Sequence, residues 1–202
     1  MTTPSRTANV TRQTRETDIA CTLTLDGTGV ATISTGLGFL DHMLTALAKH
    51  SRCDLELTCK GDLHIDDHHT AEDCALALGQ ALDQALQDDL GDRSGIARFA
   101  HAYAPLDESL ARTVIDLSGR PFASVNIPFV RETLGDIATE NITHFFQSFA
   151  TAARLTLHVD LIRGDNDHHK AEACFKALAL ALRQAVAIDT TAGVPSTKGT
   201  LT

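Results

Sequence analysis

The chain repeats itself. Residues 67–82 read DHHTAEDCALALGQAL and residues 167–182 read DHHKAEACFKALALAL, an offset of 100 residues with 10 of 16 positions identical. Chance similarity does not concentrate on so rare an element as His-His-x-x-Glu. The pattern implies duplication of a half-length unit, so the fold must be built from two similar pieces.

The likeness continues upstream. His42 lies in GFLDHMLTAL and His144 in THFFQSFATA, each with apolar residues at helical spacing. Each predicted helix is followed by an alternating strand, DLELT from Asp54 and LTLHVDLI from Leu155. The His-His pair comes next, then a second amphipathic helix. Strands open each half. Ile19, Cys21, Leu23 and Leu25 alternate with small polar residues, and DGTG at Asp26–Gly29 predicts a hairpin turn. Residues 97–104, 111–117 and 122–127 open the second half, with SGRPF punctuating the last two. The expected class is α+β, an antiparallel-rich sheet with helices packed on one face. The division is an N-terminal arm over 1–14, a first half over 15–93, a second half over 94–190 and an irregular tail over 191–202, in one compact unit. The halves meet near Gly91–Gly95.

Composition narrows the function classes. No apolar run approaches the ~18 residues of a membrane span. A net charge of −9 without a basic block disfavours nucleic acid as a partner. Five cysteines form no CxxC pair, so they read as small buried residues of a reducing compartment. The start MTTPSRTANVTRQTRETD has no apolar stretch of a secretory signal and reads as a loose arm, which points to the cytoplasm.

Histidine is the outlier, with ten against one Tyr and no Trp. On a helix, His68 and Glu72 are i, i+4 neighbours, as are His168 and Glu172. Consecutive histidines cannot point the same way, so His68 with His69, and His168 with His169, suit two metals better than one. With His42 and His144 the set divides into two sites of three His and one Glu. Imidazole plus carboxylate suits Mn, Fe, Co, Ni or Zn and leaves open positions for a substrate. Asp67 and Asp167 are candidates to orient the imidazoles. His50, His64, His101 and His158 lie outside the repeated element and read as structural. Arg98, Arg120, Lys176, Ser196 and Lys198 are candidates for a phosphate clamp. Lys176 falls one turn after Glu172.

The motifs GFLDHML, DDHHTAED, PLDESLARTVIDLSGRPF, THFFQSF, NDHHKAEACFKALALALR and PSTKG, in this order, resemble the imidazoleglycerol-phosphate dehydratase family, monofunctional form, from about Arg15 to Leu201. The resemblance implies a duplicated fold like domain 2 of ribosomal protein S5. It implies two Mn2+ per active site, held by His42, His68, His69, Glu72, His144, His168, His169 and Glu172. Glu16 would do acid-base work beside the catalytic ligands His42, Glu72, His144 and Glu172. Arg98, Arg120, Lys176, Ser196 and Lys198 would hold the phosphate of a small-molecule substrate. It also implies a homo-oligomer, trimers assembled into a 24-mer, with active sites shared between subunits.

The reaction so implied is dehydration of D-erythro-imidazole glycerol phosphate to imidazole acetol phosphate in histidine biosynthesis. A ring bridged by two Mn2+ becomes an imidazolate and expels the adjacent hydroxyl to give a diazafulvene. Glu16 then removes the acidified proton. Two rival readings use the same residues. A dinuclear metallohydrolase would need a bridging carboxylate, and a metal-assembled shell protein would leave the PSTK tail without a task.

Overall fold

The computed structural model describes residues 6–87, 93, 95–189, 193 and 196–199. The first half runs β1 (Thr7–Gln13), β2 (Thr17–Thr24), β3 (Ala31–Ser34), α1 (Gly38–Ser51), β4 (Asp54–Gly61) and α2 (His68–Gln87). The second runs β5 (Phe99–Leu106), β6 (Ser109–Asp116), β7 (Phe122–Asn126), a short hairpin of β8 (Thr133–Leu134) and β9 (Ile137–Ala138), then α3 (Thr139–Ala152), β10 (Thr156–Arg163) and α4 (Asp167–Ala185).

The duplication extends to topology. One sheet has the order β1-β2-β4-β3 and the other β5-β6-β10-β7. In each, three strands are antiparallel and the fourth pairs parallel, β3 with β4 and β7 with β10. A parallel pair needs a crossover, and α1 and α3 supply it. This overturns the hairpin expected at Asp26–Gly29. The chain there leaves β2 for the far side of β4, and Asp54 Oδ1 holds the passage by accepting from the backbone N–H of Thr28, Gly29 and Val30.

The expected loose arm also needs correcting. Residues 7–13 are strand β1, with Ala8 and Val10 facing inward. Arg6 clamps its start. The buried guanidinium pairs with Asp26 at 2.6 Å and donates to the Val186 carbonyl at 2.7 Å. Of the expected boundary between halves, Gly91, Asp92 and Ser94 lie outside the described residues, as do residues 1–5 and most of the tail, including Pro195.

The helices of each half cover one face of their own sheet, and the two helix layers meet: α1 packs on α4 and α2 on α3. One apolar core runs through all the layers, with Leu44, Leu57 and Leu82 joined to Phe145, Phe146 and Phe175. All five cysteines are free thiols, four of them buried. Burial pushes Cys21 and Cys174 up to about 12. No helix among the described residues is long and apolar enough to cross a membrane.

Candidate active site

The two His-His helices begin alike. Asp66 Oδ1 accepts from the His68 N–H and Asn166 Oδ1 from the His168 N–H, both at 2.9 Å. An Asx residue two positions ahead of the first histidine thus satisfies a free helix N–H and fixes where the helix starts. One turn on, Glu72 Oε2 lies 3.7 Å from His68 Nε2, and Glu172 Oε2 lies 3.3 Å from His168 Nε2.

The third member of each cluster comes from the opposite half. Because α1 packs on α4, His42 Nε2 reaches Glu172 Oε2 at 3.2 Å. Because α2 packs on α3, His144 Nε2 reaches Glu72 Oε1 at 3.2 Å. The results are two matched groups, His42–His168–Glu172 and His68–Glu72–His144, with ligand atoms within 4.8 Å of one another in each. Imidazole nitrogens with one carboxylate fit a divalent first-row cation. Each glutamate serves its own cluster.

Within one chain, however, neither group has the expected three histidines. His69 and His169 turn away, as the divergence of consecutive side chains requires. His69 Nδ1 lies 3.0 Å from Asp62 Oδ2, and its Nε2 lies 3.7 Å from Glu16 Oε1. His169 Nδ1 lies 2.7 Å from Glu108 Oε2, and its Nε2 lies 3.9 Å from Asp107 Oδ2. Hydrogen bonds to Asp62 and Glu108 raise the two imidazoles above their ordinary value. His169, followed by the Asn166 N–H, holds Glu108 well below the usual carboxylate range.

The two orienting aspartates behave differently. Asp67 acts through Asn141, whose Nδ2 donates to Asp67 Oδ2 while His68 Nδ1 donates to Asn141 Oδ1. Asp167 does not orient a histidine. It accepts from the backbone N–H of Val130 and Arg131 and pairs with Lys170, in a buried tie between α4 and the loop after β7.

The five anion candidates do not converge in one chain. Lys176 sits on the second cluster, its Nζ 2.6 Å from Glu172 Oε1. Burial pushes Glu172 up, but Lys176 and His42 together outweigh it and leave the carboxyl below its ordinary value. Arg98 lies at the other end of the same helix, its N–H donating to the Ala185 carbonyl. At 1.5 Å per residue, about 26 Å of α4 separates it from His168. There Arg98 grips Asp116, with Arg120 4.0 Å from the same carboxylate. Ser196 and Lys198 form a local turn, the Lys198 N–H donating to Ser196 Oγ.

Asn141, Asp62 and Glu108 escaped the sequence reading. Asn141 had a signal, since it precedes His144 by three residues and shares its helix face. Asp62 and Glu108 sit in turns, where only the fold shows that they meet a histidine.

Fold and site together define a duplicated α+β enzyme with two matched histidine–glutamate centres. The model of the imidazoleglycerol-phosphate dehydratase family matches residues 35–182. The chain belongs to that family, hydro-lyases of histidine biosynthesis. It is 58% identical to an imidazoleglycerol-phosphate dehydratase of Phaffia rhodozyma, over 98% of this chain and 97% of that protein. It is 63% identical to one of Phytophthora nicotianae over 97% of its own length, but spans only 42% of that longer relative. The crystal structure of the Staphylococcus aureus dehydratase superposes with a TM-score of 0.80 at 38% identity, covering 90% of this chain and 99% of that one.

Proposed function

We propose that this chain dehydrates D-erythro-imidazole glycerol phosphate to imidazole acetol phosphate, with two Mn2+ per active site. The observation that carries the reading is the pair of matched clusters, His42–His168–Glu172 and His68–Glu72–His144. Two matched centres suit a substrate whose ring offers two nitrogens. No carboxylate among the described residues is shared between the centres, unlike a dinuclear hydrolase. When bound, the cations supply Lewis-acid stabilisation of the ring as an anion.

The protein's own residues do the rest. Loss of the side-chain hydroxyl gives a diazafulvene, which acidifies the neighbouring C–H. Glu16 takes that proton. Its carboxylate accepts no hydrogen bond among the described residues and faces His69, so it is available as a base. The enol then ketonises. Lys176 contributes positive charge for the phosphate beside the second cluster.

His69 and His169 complete the centres of neighbouring subunits, and Arg98, Arg120, Ser196 and Lys198 bind the phosphate of a substrate held across that contact. Two observations support a shared site: the outward turn of both histidines, and the length of α4 between Arg98 and His168. The outer face of the second sheet suits assembly into trimers and a 24-mer. Phe99, Tyr103, Val114 and Phe122 are exposed there, on the side of the sheet away from the helices. The assembly works in the cytoplasm.

The test is turnover of imidazole glycerol phosphate by chelator-stripped protein, with and without added Mn2+, following the ketone product. Restoration by Mn2+ is expected. Absence of turnover in protein that binds two metals per chain would overturn the reading.

A further inference from the structure

We infer that Asp73 and Thr17 are positioning residues that set Glu16 over His69. The inference rests on the reading of Glu16 as the base. Asp73 follows His69 by four residues on α2, so the two share one face of the helix. The carboxylate is buried, with 4% of the residue exposed, and a buried charge needs partners. Both partners come from the β1–β2 hairpin: Arg12 Nη2 at 2.7 Å and the Thr17 hydroxyl at 2.5 Å.

The hairpin turn transmits that grip. The Thr14 N–H donates to the Thr17 carbonyl at 2.9 Å. Thr14 Oγ1 accepts from the N–H of Glu16 at 3.1 Å and of Thr17 at 3.0 Å. Glu16 is therefore fixed by backbone and neighbours alone. Fastening Thr17 to Asp73 places the adjacent Glu16 one helical turn back along α2, at His69.

The second half lacks the device. Ala173 stands where the first half has Asp73, at the offset of 100. The β5–β6 hairpin is tied down instead by its own carboxylate. Glu108 bonds His169 Nδ1 and accepts from the N–H of Asp165 and Asn166. That carboxylate is thereby engaged, while its neighbour Asp107 stays exposed 3.9 Å from His169 Nε2, on a side chain one methylene shorter than Glu16. In the first half Asp62 orients the histidine and Asp73 anchors the hairpin, so the Glu16 carboxylate is released for proton transfer. Asp73 is thus tied to the hairpin that carries Glu16, and is not part of the packing both halves share.

The experiment measures kcat, KM, metal per chain and thermal midpoint in the Mn-loaded protein. Thr17→Val keeps the side-chain shape and removes the hydroxyl. It is expected to lower kcat about 10- to 100-fold, the scale of a slightly misplaced reacting group, with KM and metal content unchanged. Thr17→Ser restores kcat. Added to Glu16→Gln, Thr17→Val causes no further loss. Asp73→Asn repeats the measurement if the valine variant does not fold. Unchanged kcat in Thr17→Val overturns the inference, as does an equal further loss in the Glu16→Gln background, which would mark a purely structural role. Full kcat in Glu16→Gln alone overturns the reading of Glu16 as base, a result separable from the others because it needs neither Thr17 nor Asp73.

Discussion

Asn141 Oδ1 lies 2.9 Å from His68 Nδ1, so a residue of α3 fixes the ring of the first residue of α2. Asp67 holds Asn141 from behind at 2.9 Å. Nδ1 is thereby the donor to the amide oxygen, and Nε2 is left to face the ligand space shared with Glu72 and His144. Partners of this kind commonly contribute 10- to 100-fold in metal affinity. Asn141→Ala is expected to weaken the His68–Glu72–His144 centre by about that factor. The His42–His168–Glu172 centre should be untouched. A metal titration of stripped protein resolves the two, and equal weakening at both centres would contradict the assignment.

Gly79 is a point of close approach between α2 and α3. A Cβ there would lie 2.7 Å from the Phe149 carbonyl oxygen and 2.9 Å from the Ala153 nitrogen, both backbone atoms. Alanine would gain about 1 kcal/mol of helix propensity, while overpacking against backbone costs about 1–3 kcal/mol. The second effect wins, so Gly79→Ala is expected to destabilise the protein in urea. The same close approach brings His144 to Glu72, so metal retention should fall as well. The repeat carries Ala179 at this position, which identifies the glycine as specific to the α2–α3 contact.

Lys170 and Asp167 form an ion pair with both side chains almost fully buried, at 4% and 2% exposure. Lys170→Met removes one charge and strands the other. A stranded buried partner typically costs about 3–5 kcal/mol. The two backbone donors from Val130 and Arg131 remain, so the lower end, about 3 kcal/mol, is expected in chemical denaturation. Lys170→Met combined with Asp167→Asn should recover part of that loss. A double variant less stable than the single one would show that the pair is not the source.

The duplication, the α+β class and the helices were legible because they rest on local spacing. His68 with Glu72, and Lys176 with Glu172, are one-turn neighbours, and helix geometry alone brings them together. The exchange of partners between halves was not legible. That His42 belongs with Glu172 follows from α1 packing on α4, a tertiary contact with no trace in either segment. The parallel pairing of β3 with β4 was hidden for the same reason, since a DGTG turn signals a reversal and not where the next strand lands. Thr7–Gln13 was masked by its polar residues. On an edge strand only Ala8 and Val10 need to be apolar.

Acid sensitivity follows from two aspartates. The Arg6 side chain holds Asp26 below its ordinary value, and backbone N–H groups, with Val30 the largest contributor, do the same for Asp54. Both carboxyls therefore bind protons more weakly folded than unfolded. Their contribution is complete above the unfolded value, near 3.9, and is lost as pH falls through the lower folded values. Stripped protein should show a thermal midpoint that is flat with respect to these groups above about pH 5 and falls steeply below about pH 4. Asp26→Asn cannot lose a proton-linked contribution from that site. It should start less stable at pH 6, because the buried Arg6 guanidinium loses its charged partner, and the gap to wild type should narrow as pH drops to about 3. A gap that stays constant across this range would mean that Asp26 titrates alike in both states, against the hydrogen bonds it accepts from Arg6.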